Sequence, residues 1–470
     1  MAASSVARVR STPRSLRPCP VRSGAVRNRQ NAGPVAEREQ QGSVASGDPI
    51  EGSAVYPAGS RVNERGHLEL AGCDVVELAE EMGTPAYLYA EDDLRARARA
   101  YREAFERRSE DFEVLFASKS LPCTAAYRLF AEEGLSVDVA SGGELHMALR
   151  AGFDPDRIHM HGNNKSDEEI LFAARSGIRH LILDSFDEIE RCERLLDSPQ
   201  RVLIRVTPGI KPSTHSYVQT GQLDSKFGFG LEDGLAARAI ERVLASEQLE
   251  LVGLHAHIGS QIFELEPYAL AIRALGELAG DWCKVVNVGG GLGVAYTAED
   301  EPPSIDAYVD VKVRGVAEVF GPDVRILVEP GRSLVANAGV TAYRVGTVKE
   351  IPGIRTYVAV DGGMSDNLRP MLYGSRYEAL VADRAAAPPD TLVTIAGMHC
   401  ESGDILVRDA NLAEPAVGDV LVTPATGAYG HAMASNYNGV PRPPVVFCRD
   451  GEARVVVRRE TYDDLTARDV

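Results

Sequence analysis

The chain has 470 residues, 44% of them apolar, and a formal net charge of −18 at pH 7. That length admits two domains, no apolar run approaches a membrane span, and the acidic balance argues against a nucleic-acid surface and for a soluble enzyme of small molecules. Seven scattered cysteines without metal-ligand spacing fit a reducing cytoplasm, with no metal expected.

Residues 1–51 read as a disordered or processed tail. The first 36 carry seven Arg and no acid, with Ser and Pro but no apolar stretch for a secretory signal. An organellar transit segment or a mis-assigned start would share that composition. Short strand-like pieces follow at 67–70 and 86–90, then a charged amphipathic stretch at 91–108. Eight times thereafter an apolar run of strand length gives way to a helix-like stretch, at 112–119, 136–141, 158–163, 180–185, 202–208, 251–257, 285–291 and 326–331. Aliphatic strands alternating with amphipathic helices imply a parallel sheet buried on both faces. Eight such units predict an α/β fold, a closed (β/α)8 barrel over residues 91–338. Beyond it, the segments 339–349, 355–360, 391–396, 419–423, 443–449 and 452–459 read as strands, with an Asp-Gly hairpin turn at Asp450-Gly451. They predict an antiparallel, barrel-like β-domain of residues 339–470, completed by residues 52–90.

Such a barrel carries its chemistry at the carboxyl ends of its strands. Those ends read Lys119, Asp138, His161, His257, Gly289-Gly290-Gly291 and Glu329-Pro330-Gly331-Arg332. A lysine amine in the mouth, its pKa lowered by burial, suits imine formation, though a solvated strand-end lysine is the commoner case. Three glycines let backbone amides approach an anion, and after a seventh strand they stand where barrels often bind phosphate; a ligand-free tight turn is the bland alternative. Glu329 can keep a pyridine nitrogen protonated and Arg332 offers a fork to phosphate or carboxylate, against the ordinary alternative of a strand-end ion pair. His257 suits stacking on a planar cofactor and Ser260 its phosphate, where a satisfied core histidine is the usual case.

Together, Phe116-Ala117-Ser118-Lys119, Asp138-Val139-Ala140-Ser141-Gly142-Gly143-Glu144-Leu145, His161-Gly162-Asn163-Asn164-Lys165-Ser166, His257-Ile258-Gly259-Ser260-Gln261, the triple glycine and Glu329-Pro330-Gly331-Arg332 resemble the alanine-racemase-type barrel decarboxylases that use pyridoxal 5'-phosphate. Among these, Asp224-Ser225-Lys226-Phe227-Gly228, His399-Cys400-Glu401-Ser402-Gly403-Asp404 and Gly427-Ala428-Tyr429 are similar to the diaminopimelate decarboxylases. The likeness departs at Met398, where a basic residue is frequent, and at Gly430, where Cys is common.

The resemblance implies that Lys119 holds the cofactor as an imine, Glu329 faces its ring nitrogen and His257 lies against its face. Ser260, Gly289, Gly290, Gly291, Gly331 and Tyr429 are then on the phosphate side, Arg332 stands near phosphate or substrate carboxylate, and Asp138 and Glu144 lie near the cofactor. Cys400 becomes the proton donor to the carbanion left after CO2 departs, where an inert core thiol is the usual reading of a free cysteine. Glu401 binds the far ammonium of the substrate, while Arg369 and Tyr373, beside Tyr429, hold its far carboxylate. The implied reaction takes meso-2,6-diaminoheptanedioate, by loss of CO2 at its D-centre, to L-lysine, the last step of lysine biosynthesis by that route. A cytoplasmic homodimer is implied as well, with each Cys400 segment entering the neighbouring site. The alternatives are a decarboxylase of ornithine, arginine or lysine, an amino-acid racemase, and a non-catalytic pyridoxal-phosphate-binding homologue. Arg369 and Glu401 argue against the first, because a distal amino-acid centre uses both.

Overall fold

The computed structural model describes residues 50–210 and 225–470. The tail of residues 1–49, with its reading as a transit segment, and Asp224 of the motif Asp224-Ser225-Lys226-Phe227-Gly228 lie outside the described residues. Ile50 already packs in the core.

Eight strands close the barrel: Phe112–Ala117, Ser136–Val139, Ile158–Met160, His180–Leu183, Gln200–Thr207, Leu249–His255, Val285–Asn287 and Arg325–Val328. Each pairs in parallel with the next, and the eighth returns to the first. The expected barrel is present because every strand supplies apolar side chains to the helix-facing side, and five of them also supply one to the barrel interior; the second and third turn Ser136, Asp138 and His159 inward instead. Leu115, Ile182, Leu203, Val285 and Leu327 form an interior layer of their own. Their neighbours Val114, Phe116, Leu181, Ile204, Val286, Ile326 and Val328 point the other way and join the helices in the larger core.

Every strand stops before the apolar run that announces it. The run 112–119 is strand only to Ala117, and 285–291 only to Asn287. The last residues of each run leave the ladder and turn across the barrel mouth. Lys119 thus sits in a 3-10 turn, Ser118–Ser120. Gly289 and Gly291 adopt φ of 60° and 106°, values that no strand tolerates and that favour glycine.

The second sheet is mainly antiparallel, as expected. Its long strand Gly339–Ile351 pairs antiparallel with Ala86–Ala90, which in turn runs parallel to Val445–Arg449. Arg355–Val360 and Thr391–Ala396 are also parallel. The strand Ile405–Leu412, absent from the sequence reading, pairs antiparallel with Thr391–Ala396. Its alternation is broken at Arg408 and Asp409, where a bulge with Asp409 at φ 51° interrupts the register. This sheet delivers two pieces to the barrel mouth, the short helix Arg369–Tyr373 and the turn at Tyr429, whose N–H donates to Ser120 O at 2.9 Å. Among the described residues, no helix is long and apolar enough to cross a membrane.

Candidate active site

Directly above the apolar interior layer, the same inward-facing alternation brings up His161, Arg205, His255, Asn287 and Glu329, all buried. Glu329 Oε1 accepts from Asn287 Nδ2 at 2.6 Å and lies 2.7 Å from His161 Nε2, while Oε2 lies 3.3 Å from His255 Nε2. Burial works against charge on Glu329, yet His161 and His255 hold its carboxyl well below the usual range. Burial also opposes charge on His161, but Glu329 and Asp138 raise it above its ordinary value. For His255 burial wins and lowers the ring to about 4. Glu329 is therefore held toward its ionised form inside the barrel. Its three polar neighbours orient it. The ligand atoms of His161, His255 and Glu329 lie within 4.8 Å of one another, a spacing that a metal ion could also use.

Over this floor opens a cleft of about 390 Å³, lined by Lys119, Asp138, Arg205, His257, Ser260, Arg332, Arg369, Tyr373 and Tyr429 among others. A chamber of about 70 Å³ shares Lys119, His257, Ser260, Arg332 and Tyr429 with it and adds Gly291 and Gly331. The Lys119 amine departs from expectation. Its side chain is exposed to the open cleft but deeply surrounded by protein, so desolvation works to lower its pKa; Asp138, Tyr429 and Glu329 outweigh that and hold the ammonium above its ordinary value. His257 behaves oppositely, pushed well below its ordinary value by burial and by the charges of Lys119 and Arg205. Its Nδ1 accepts the Gly290 N–H at 3.2 Å, which assigns the proton of the neutral ring to Nε2.

The glycine turn has no space for side chains. A Cβ on Gly290 would come within 2.1 Å of Glu329 O, and one on Gly289 within 2.6 Å of Ala256 O. Arg332 donates from Nη2 to Ser260 Oγ at 2.9 Å and from Nη1 to the Tyr296 hydroxyl. Arg369 donates to the Tyr377 hydroxyl and lies 4.5 Å from the Tyr296 ring centroid. Among the described residues neither guanidinium is paired with a carboxylate. A planar ring bearing a phosphate fits these features: an amine, an anion on the barrel axis, a flat neutral imidazole, and a bare glycine turn beside a buried arginine.

Five predicted residues line neither the cleft nor its chamber: Gly289, Gly290, Glu144, Cys400 and Glu401. Cys400 and Glu401 are exposed. The Cys400 N–H donates to Asn438 Oδ1 at 3.1 Å, and Glu401 accepts from the Tyr437 hydroxyl. Asp404 pins their turn by accepting the N–H groups of His399 at 2.9 Å and Met364 at 2.7 Å. Glu144 accepts the Ala140 N–H at 2.7 Å and so ties off the second strand's loop. Conversely, the sequence reading gives no site role to Arg205, His255, Asn287, Tyr296 and Tyr377. The first three could have been found by counting inward from their strand ends in steps of two.

Asn287 illustrates the cost of such an omission. It donates to Glu329 and accepts the Gly289 N–H at 3.0 Å. Asn287→Ala leaves both groups buried without that partner, and the expected loss is about 1–3 kcal/mol in denaturant unfolding, with weaker cofactor binding. An unchanged urea midpoint would remove Asn287 from this role.

The pyridoxal-binding domain of the pyridoxal-dependent decarboxylases matches residues 91–336. The diaminopimelate decarboxylase of Bacillus subtilis (strain 168) is 48% identical over 425 residues, covering 87% of this chain and 97% of that protein. That of Actinosynnema pretiosum is 47% identical, covering 90% and 97%. Among solved structures, the diaminopimelate decarboxylase of M. jannaschii in complex with L-lysine superposes with a TM-score of 0.82 at 34% identity, over 87% of this chain and 97% of that one. The Helicobacter pylori enzyme, also with L-lysine, gives 0.77 at 33%, over 84% and 98%. Fold and cleft thus define a barrel decarboxylase dependent on pyridoxal phosphate. Within that class the chain belongs to the diaminopimelate decarboxylase family.

Proposed function

We propose that the chain removes the carboxylate at the D-centre of meso-2,6-diaminoheptanedioate, releasing CO2 and L-lysine, with pyridoxal 5'-phosphate as cofactor. The observation that carries the substrate is the pair of buried guanidinium groups, Arg332 and Arg369, that share one cleft and have no carboxylate partner among the described residues. A buried cation without a counter-ion is costly, so a cleft with two of them is built for a ligand bringing at least two anionic groups. Cofactor phosphate is one. The second carboxylate of a diamino diacid is the other, and ornithine, arginine and lysine have none to offer.

When bound, the cofactor supplies the electron sink for the bond between Cα and its carboxylate. The chain's own residues do the rest. Lys119 would supply the attaching amine, Glu329 would partner the ring nitrogen, and His257 would present a neutral face. Ser260, Tyr429 and the turn at Gly289, Gly290 and Gly291 meet the phosphate, with Arg332 close by. Arg369 and Tyr373 take the distal carboxylate, Glu401 the distal ammonium, and Cys400 returns a proton to Cα. Exposure of Cys400 and Glu401 on their own chain supports a homodimer in which each turn at 399–404 completes the neighbouring cleft. The described cysteines are all free thiols, which supports a cytoplasmic setting.

The test is CO2 and lysine release from meso-diaminopimelate by the pyridoxal-phosphate-loaded protein, with ornithine, arginine and lysine run beside it. Release from diaminopimelate alone is expected. Activity confined to a monocarboxylic diamine would retain the cofactor chemistry and remove the role given to Arg369. Arg369→Met is expected to raise KM for diaminopimelate by about 10- to 100-fold, the worth of a charge-assisted hydrogen-bond pair.

A further inference from the structure

Lys312 lies wholly buried on the helix Ile305–Phe320, and the proposed chemistry has no use for it. Another buried lysine, Lys165, is neutralised by Glu188 at 2.5 Å; Lys312 has no carboxylate partner among the described residues. Its Nζ donates instead to Val288 O at 2.7 Å and Gly289 O at 2.8 Å. The rings of Tyr308 and Tyr268 flank it, with centroids 4.3 and 4.8 Å away. Filling that space needs no amine. A methionine or leucine would pack there without the cost of desolvating a charge, so the position is explained by what the amine holds.

What it holds is the start of the glycine turn. Within one trans peptide the carbonyl and the following N–H point in opposite directions. Anchoring Gly289 O at Lys312 therefore sends the Gly290 N–H toward the barrel mouth, where it donates to His257 Nδ1 at 3.2 Å. We propose that Lys312 is a positioning residue that, through the peptide joining Gly289 to Gly290, fixes both the phosphate-side turn and the orientation of His257. Burial pushes its ammonium well below its ordinary value, and a neutral amine still has the two N–H groups that the two carbonyls require. The Tyr308 hydroxyl, 3.3 Å from Gly289 O, and the Glu329 N–H, 3.2 Å from it, second the same anchor.

The proposal rests on the reading of the glycine turn as a phosphate cradle, and the experiment separates the two. Apo-protein is titrated with pyridoxal phosphate and with pyridoxal, which lacks the phosphate, for wild type and for Lys312→Met. Cofactor circular dichroism and the apo melting temperature are recorded alongside. Lys312→Met is expected to reduce the preference for pyridoxal phosphate over pyridoxal by about tenfold, the effect of one buried hydrogen-bonded anchor. The cofactor dichroism should change, and the apo melting temperature should fall modestly, because Val288 O and Gly289 O lose the donor that Lys312 supplies. Lys312→Gln, which keeps N–H donors, should recover part of the preference, and it reads the same ratio if the Met variant does not fold. A wild type indifferent to the phosphate would overturn the cradle and this inference with it. A discriminating wild type with an equally discriminating Lys312→Met would overturn the role of Lys312 alone. So would a Lys312→Met that melts early and weakens on both ligands equally, since that marks a purely structural residue.

Discussion

Lys119→Ala is expected to lose the cofactor's imine absorbance and to lower turnover by at least about 10⁴-fold, because removing the attacking amine removes the covalent step and not only a contact. Among the described residues, Lys119 is the only lysine lining the cleft. A small amine added to the buffer should restore part of the activity. Retention of both absorbance and turnover by Lys119→Ala would move the attachment point elsewhere. A pH dependence follows from the direction of the Lys119 shift. The ammonium, held above its ordinary value chiefly by Asp138, must lose its proton before it can attack. Cofactor loading of apo-protein should therefore accelerate as pH rises from neutral. Asp138→Asn removes the first of the carboxylates stabilising the charged form, so its rate profile should shift to lower pH. A profile that does not move would exclude this coupling.

The contrast between expectation and structure at Lys119 has a general cause. A strand-end lysine in an apolar run announces burial, and burial alone lowers an amine's pKa. The opposing carboxylates come from other strands, Asp138 from the end of the second and Glu329 from just past the eighth. No local pattern in the chain reports how far apart they stand. The barrel itself was legible because eight apolar runs alternate with helical stretches, each carrying its own evidence. The antiparallel domain was legible less completely. Ile405–Leu412 hides behind a bulge at Arg408 and Asp409 that breaks the two-residue alternation by which strands are found. The hydrogen-bond cage of Glu329 was within reach. Asn287 follows Val285 by two and so faces inward one step above the interior layer, while His161 and His255 follow the inward-facing positions His159 and Gly253 by two. Tyr296 and Tyr377, which hold Arg332 and Arg369, lie in loops without periodicity, and only the fold brings them to the cleft.

Cys400→Ala is expected to slow turnover by about 10²–10³-fold while leaving the cofactor absorbance intact, the range for removing a positioned proton donor. The separation of the two effects matters because Cys400 is exposed and does not line its own chain's cleft, whereas Lys119 does. Asp404 holds the Cys400 turn by accepting the N–H of His399 within it and the N–H of Met364 from the neighbouring segment, which ties the turn to the β-domain. If that surface completes the cleft of a second copy, two inactive proteins should repair each other. Mixing Lys119→Ala with Cys400→Ala in equal amounts, after exchange of subunits, makes half of all dimers mixed. Each mixed dimer has one cleft with both lysine and thiol intact, so the mixture should recover about a quarter of wild-type activity, the statistical result for a two-fold dimer. A mixture as inactive as its parts, with subunit exchange verified, would place Cys400 in the service of its own chain and dissolve the physical case for the homodimer.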